Sequence, residues 1–189
     1  MSQIIITRVG ERQMEEVVAY VKAFRQHLFP MLDNTKVPND LLYFKSTYLD
    51  HSQGCFLQAN NEKGELIGVI GMMPYDYRFD YLDYQHQRTV EVARLFVEPA
   101  YRRTGLATQL FQALVEVAKE KEIECLYLHT HPFLTGAFEY WLKQGFQHRT
   151  TSIDGGFTTW HMDRMVNGGR WTVDSGRLTV NGGQLTVDS

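Results

Sequence analysis

The sequence predicts a mixed α+β domain of about seven strands and about four helices, on three observations. Short β-branched and aromatic runs are bounded by turn residues, other stretches carry apolar side chains at helical spacing, and the strands are grouped instead of alternating strictly with helices. Residues 4–7, IIIT, are the first β-branched run. In MEEVVAYVKAFRQHLF, Met14, Val17, Val18, Val21 and Phe24 recur every three or four positions, so an amphipathic helix follows. Pro38-Asn39-Asp40 is a start signal for a second, shorter helix, LLYFKSTYL, with Leu41, Leu42, Phe44, Tyr48 and Leu49 as its apolar set. CFLQAN and ELIGVIGMMPY read as strands joined by Asn60-Asn61-Glu62-Lys63-Gly64, a hairpin composition. A second hairpin-like connection over residues 80–87 leads into RTVEVARLFV, a long strand ended by Glu98-Pro99.

From Leu106 the period changes. Leu106, Leu110, Leu114, Val117 and Ala118 make one stripe, with Gln109, Gln112, Glu116, Lys119 and Glu120 mostly opposite, which is a helix. CLYLHTH is a strand, AFEYWLKQ a short helix stopped by Gly145, and FQHRTTSI with FTTWHMDRM a last strand pair around Asp154-Gly155-Gly156.

The bulk numbers exclude several classes. With 189 residues, 43% hydrophobic and 13% aromatic, the chain can bury the core of one domain with a tail. A net charge of −3 leaves no basic surplus for a nucleic-acid backbone. Only Cys55 and Cys125 are present, without CxxC or Cys/His ligand spacing, so neither a disulfide framework nor a zinc site is indicated. No apolar run has the length of a membrane span and no secretory leader is evident, so the expected location is the cytoplasm, with no membrane partner.

Residues 1–165 are expected to be the domain and 166–189 an appendage. The latter repeats WTVDSGR, LTVNGGQ and LTVDS from Trp171, Leu178 and Leu185 with a period of seven. Thr-Val alternating with turn residues suits a short β array. A second origin needs no structural selection. TVDSGRL can be written ACTGTTG-ACAGTGG-ACGGTTG, three near-copies of one seven-base unit, and such a unit returns to phase every seven codons. A coding sequence without that seven-base period would remove this origin.

The stretch RRTGLATQLF places two arginines and a glycine where a helix begins. Like charges at the positive end of a helix dipole cost stability unless an anion meets them. Strand, Pro-containing turn and helix start together leave several backbone N–H groups free, and small residues let a ligand approach, so a pyrophosphate fits. The alternative is a surface turn with solvated arginines. There is no GxxxxGK[ST] and no GxGxxG, so kinase, ATPase and Rossmann readings lose their support.

V-E-P-A-Y-R-R-T-G-L-A-T-Q-L resembles the acetyl-CoA signature of the GNAT N-acetyltransferase superfamily, Gln/Arg-x-x-Gly-x-Gly/Ala at a strand-to-helix junction, filled here by Arg102, Gly105 and Ala107. The resemblance extends over residues 4–165 through the element order, and AFEYWLKQGF resembles the family's second conserved helix. It implies a mostly antiparallel, V-shaped central sheet and acetyl-CoA as co-substrate, with no metal. The amides of Arg102, Arg103, Thr104, Gly105, Leu106, Ala107 and Thr108 would then hold the CoA pyrophosphate. Leu95, Phe96 and Val97 would pair with the pantetheine as an added strand.

Acetyl transfer needs a neutral amine, a polarised thioester carbonyl and a proton for the leaving thiolate. Glu91 lies inside an otherwise apolar strand, where a carboxylate is costly unless paired or open to a cleft. It also stands fourteen residues before Gly105, the spacing of the family's catalytic glutamate. The alternative is a salt bridge to Arg94 or Arg88. The family's tyrosine, four residues before the helix-ending glycine, corresponds to Trp141, which has no acidic proton; neighbouring Tyr140 is the candidate acid, and Trp141 packs against cofactor or core.

His129 and His131 alternate along one strand face with a pKa range suited to proton transfer, or are structural. By resemblance His27, Phe24, Arg25, Tyr75 and Tyr77 sit where the family builds its acceptor pocket. His27, Tyr75, His129 and His131 are the candidate acceptor-binding residues. The expected function is acetyl transfer to a primary amine of a small acceptor in a ternary complex. The rival is a non-catalytic acyl-CoA-binding module. A homodimer is left open.

Overall fold

The computed structural model describes residues 4–167, 170–174 and 177–181. Its main sheet has seven strands: β1 (Ile5–Arg8), β2 (Cys55–Asn60), β3 (Leu66–Pro74), β4 (Thr89–Val97), β5 (Cys125–Thr130), β6 (Gln147–Asp154) and β7 (Phe157–Met165), in the order β1-β2-β3-β4-β5-β7-β6. Every neighbouring pair is antiparallel except β4 with β5, which is parallel. The helices are α1 (Met14–Leu28), α2 (Asn39–Leu42), α3 (Leu106–Glu120) and α4 (Ala137–Lys143). The α+β class and the mostly antiparallel seven-strand sheet read from the sequence are what the structure contains.

The sheet buries both faces, as the long apolar runs of its central strands require. On one side Ile70, Met72, Val90, Leu126 and Leu128 pack under the α3 stripe of Leu106, Leu110, Phe111 and Leu114. On the other, Val69, Phe56 and Phe96 receive Val17, Val21 and Phe24 of α1 and Leu41 of α2. Gly71 is where Tyr48 and Phe56 reach the β3 backbone: a Cβ there would stand 2.6 Å from the Phe56 ring and 3.0 Å from Tyr48. Only glycine fits that approach.

Two details depart from the periodicity. The second helix stops after one turn and continues as a π-helical turn, Lys45–Leu49, so Phe44 and Tyr48 are buried while Leu42 is 60% exposed. The core also takes in the residue that follows 165. Val166 is buried in the core, and its N–H donates to the Glu124 carbonyl at 2.9 Å. Within the repeats, β8 (Arg170–Asp174) and β9 (Arg177–Asn181) pair antiparallel in a sheet of their own, the β-forming behaviour that Thr-Val alternation allows. The last repeat, from Leu185, lies outside the described residues.

The feature that makes a site is the divergence of β4 and β5. Their parallel pairing is confined to Thr89, Val90 and Glu91 opposite Cys125, Leu126 and Tyr127. Beyond that point β4 stays paired to β3 through an irregular register between Val69 and Gly71, with Arg94 at φ 61°. The bulge twists β4 away from β5. Among the described residues no strand then pairs with the β5-facing edge of the remainder of β4.

Candidate active site

The opened strands enclose a cavity of about 1060 Å³. Its walls are β4 from Glu91 to Val97, β5 from Leu128 onward, the end of α1 and the start of α4. At one end Leu95, Phe96 and Val97 present the unpaired strand edge, joined by Arg102 and Ala107. Phe96 is held face to face on Phe24 at 4.3 Å with 5° between the rings, which fixes this stretch of β4 against α1.

The turn beyond it has a backbone shape that suits an anion. Arg103 (φ 64°) and Gly105 (φ 90°) are left-handed, Gly105 directly precedes α3, and the first helical bond is Gln109 N–H to the Gly105 carbonyl at 3.0 Å. Gly105 owes its identity to that angle and not to crowding, because a Cβ would meet only Gln109 Nε2 at 4.0 Å. Among the described residues none of the amides of Arg103, Thr104, Gly105, Leu106, Ala107 and Thr108 donates to a backbone carbonyl. Such a run of free amides at the start of a 15-residue helix suits a phosphate.

The two arginines differ in a way the sequence does not distinguish. Arg103 is exposed. Arg102 folds back, its Nε donating to the Val97 carbonyl at 3.1 Å and its guanidinium lying 5.6 Å from the Phe96 ring centre, which leaves its Nη groups for a ligand. The Leu106 side chain is core, so this residue can offer only its amide. Thr108 Oγ accepts from Gln144 at 3.3 Å, tying the turn to the end of α4.

Glu91 sits at the point of divergence and is 3% exposed. Its partner is neither Arg94 nor Arg88. Arg78, in the β3–β4 connection, grips it through Nη1 to Oε2 at 2.7 Å and Nη2 to Oε1 at 2.9 Å, and His129 Nδ1 stands 3.2 Å from Oε1. Burial alone would raise this carboxyl; the hydrogen bonds and charges of His129 and Arg78 overcome it and hold the pKa at about 2. Arg94 instead makes two bonds to Asp40 of α2, Nε to Oδ2 at 2.9 Å and Nη2 to Oδ1 at 2.6 Å, and Tyr48 also donates to Asp40. Arg88 donates from its side chain to the Lys121 carbonyl, far from Glu91 in its contacts.

Tyr140 and Trp141 both line the cavity. The Trp141 ring is core, with Phe111 at 5.5 Å and Phe146 at 5.2 Å. The Tyr140 hydroxyl is buried and makes no hydrogen bond among the described residues. Burial pushes its pKa up to about 12, with the neighbouring Thr108 hydroxyl acting in the opposite direction. A buried hydroxyl without a partner is costly, and this one belongs to a residue of the cavity wall.

His27, His129 and His131 all border the cavity. His131 is fixed by its Nδ1 to the Thr158 carbonyl at 3.0 Å and stacks on Phe133 at 5.0 Å, with Phe29 edge-on. Tyr75 is a correction. It is 4% exposed, packs with Tyr84 and Tyr127 in a separate cluster, and takes no part in the cavity wall, nor does Tyr77. The strand turns its side chain to the opposite layer at the β3 end. Arg25 also lies outside the wall, bonded to Asn34 at 2.8 Å.

Comparison with known proteins decides the kinship. The family model described as acetyltransferase (GNAT) family matches residues 13–146. The chain belongs to this family. Its fold is similar to a GNAT-family acetyltransferase of Staphylococcus aureus (TM-score 0.66, 20% identity, 87% of this chain and 99% of that one). It is likewise similar to the PaiA N-acetyltransferase of Thermoplasma acidophilum, solved in complex with coenzyme A (TM-score 0.60, 18% identity, 86% of this chain and 99% of that one). Human N-acetyltransferase 8 is 23% identical over 121 residues, 64% of this chain, and this match spans about half (49%) of the human protein.

Proposed function

We propose that this GNAT chain is an acetyl-CoA-dependent N-acetyltransferase acting on a primary amine of a small acceptor, by direct transfer in a ternary complex. The observation that carries this reading is the meeting, in one cavity, of the unpaired β4 edge, Arg102 and Ala107 from the amide turn at its end, and Glu91 with Tyr140. When bound, acetyl-CoA supplies the acetyl thioester. The free amides of residues 103–108, with Arg103 and the Nη groups of Arg102, fit its diphosphate, and the edge at Leu95, Phe96 and Val97 fits an extended amide chain. Amides of the same strand are placed to polarise a carbonyl as charge develops on its oxygen. Glu91 assists removal of the amine proton, and Tyr140 hands its own to the sulfur.

The acceptor enters past His27 and the aromatic pair of Phe29 and Phe133, with Asp40 and Asp76 along the way. The aromatic faces favour a small cationic amine. Two buried free thiols, Cys55 and Cys125, support placement in a reducing compartment such as the cytoplasm. Among the described residues no helix is long and apolar enough to cross a membrane.

The test is thiol release from acetyl-CoA by the purified chain with a panel of amino acids, aryl amines and polyamines. Acceptor-dependent release supports the reading. Coenzyme uptake without release from any amine favours the non-catalytic acyl-CoA-binding module.

A further inference from the structure

Resting on the transferase reading, the geometry assigns the amine's proton to His129 Nε2, with Glu91 as the positioning residue that fixes the His129 ring. His129 reaches the cavity from β5 two positions past the last residue paired to β4, so it stands on the opposite lip from the β4 edge. Its Nδ1 is 3.2 Å from Glu91 Oε1 and 3.5 Å from Arg78 Nη2. The guanidinium can only donate and would favour a lone pair on Nδ1, but the nearer carboxylate can only accept, so the proton of the neutral ring belongs on Nδ1, toward Glu91. Nε2 is then left with its lone pair, and among the described residues it has no hydrogen-bond partner. This is the arrangement of a base oriented by a third group.

Glu91 is poorly suited to take the proton itself. Its two oxygens already accept two donors from Arg78, His129 Nδ1 stands 3.2 Å from one of them, and it is closed from solvent. Arg78 holds it ionised against its burial. The ionised groups of the site are instead arranged so that the carboxylate stabilises an imidazolium on its other side. Around the ring the other titratable groups are His131 on β5 and His161 on β7, both lowered mainly by burial, and Tyr127, raised by it. Burial favours the uncharged form of all three, so Glu91 and Arg78 supply the local charge.

The step balances as follows. The amine nitrogen uses its lone pair to bond the thioester carbonyl carbon, the carbon–sulfur pair leaves on sulfur, the nitrogen's proton passes to His129 Nε2, and the sulfur takes a proton from the Tyr140 hydroxyl. Solvent then returns the His129 proton to Tyr140.

The direct test is long-range proton–nitrogen NMR on the full chain labelled with ¹⁵N-histidine, at a pH where the ring is neutral, with and without coenzyme A. The His129 signals are identified by their loss in His129→Asn or, should that variant misfold, through the ring carbons of the unaltered chain. The expected result is the Nδ1–H tautomer with an unprotonated Nε2; an Nε2–H tautomer overturns the proposal, because such a nitrogen cannot accept. With any amine that supports thiol release, His129→Gln should lower kcat by roughly 10²- to 10⁴-fold, leave the KM for acetyl-CoA unchanged and abolish the acid-side fall of the rate. An acid-side fall that survives in His129→Gln and disappears in Glu91→Gln makes Glu91 the base instead. Failure of the chain to take up coenzyme A would strike the transferase reading while leaving the tautomer result readable by itself.

Discussion

Arg78 closes on Glu91 with both arms of its guanidinium, Nη1 to Oε2 and Nη2 to Oε1, and so a loop residue thirteen positions upstream neutralises a carboxylate inside the central sheet. Asp76 takes a further bond from the same Nη1 at 2.7 Å, so the loop is fastened at the point where β4 and β5 part. Removing the cation should therefore cost stability as well as activity. Arg78→Ala strands a 3%-exposed carboxylate and should lose about 3 kcal/mol, the low end for a broken buried pair, because a third of the Arg78 side chain is exposed. Thermal unfolding should show a fall of roughly 6–12 °C.

The same pair sets an acid limit on the fold. Glu91 has its folded pKa depressed from 4.5 to about 2, so its contribution is fully present above the unfolded value and is lost as pH falls from about 4.5 through about 2. The loss is on the order of 3 kcal/mol over that window. Urea denaturation at stepped pH should show this slope in the unaltered chain and a shallower one in Glu91→Gln. Equal slopes would mean that Glu91 is not held ionised in the folded chain.

Much of this architecture was legible in the sequence, because strand and helix faces follow from local periodicity. The α3 stripe, the hairpin of β2 and β3 and the left-handed Gly105 are all where spacing and turn chemistry place them. What local pattern could not show is which charges meet across the fold. Glu91 was marked by being a carboxylate in an apolar strand, but its partner lies in a connection whose path has no period, and Arg94, two pleats along β4, is drawn away to Asp40 by the bulge. A buried strand carboxylate demands a cation, and the pairing of Met73 with Glu91 in the hairpin would have pointed to the residues just past Pro74, where Arg78 is found. Tyr75 was misplaced for a related reason: at the end of β3 the face that a residue joins is decided by where the connection turns, not by its neighbours in sequence.

Tyr140 should separate chemistry from stability. Tyr140→Phe removes a buried hydroxyl that has no partner, so the fold should be unchanged or slightly stabilised, while kcat for thiol release should fall roughly a hundredfold with little change in the KM for acetyl-CoA. Melting curves and steady-state kinetics on one preparation check both signs together. A variant with full kcat would remove Tyr140 as the acid.

The repeats should be dispensable and Val166 should not. A chain ending at Asn167 is expected to take up coenzyme A like the full chain. Stopping at Met165 discards a fully buried valine and its bond to the Glu124 carbonyl, and should cost about 2 kcal/mol more by denaturation. Loss of coenzyme uptake in the longer truncate would give the repeats a role in the site.

Binding of the coenzyme to the amide turn is the claim on which the rest depends, and isothermal titration of the pure full chain with coenzyme A measures it most directly. Saturable one-to-one binding is expected, weakened roughly tenfold or more by Gly105→Val, which strains a residue at φ 90° and turns the cradle amides, and also by Arg102→Glu with Arg103→Glu. No heat from the unaltered chain, or equal affinity in all three proteins, would contradict it.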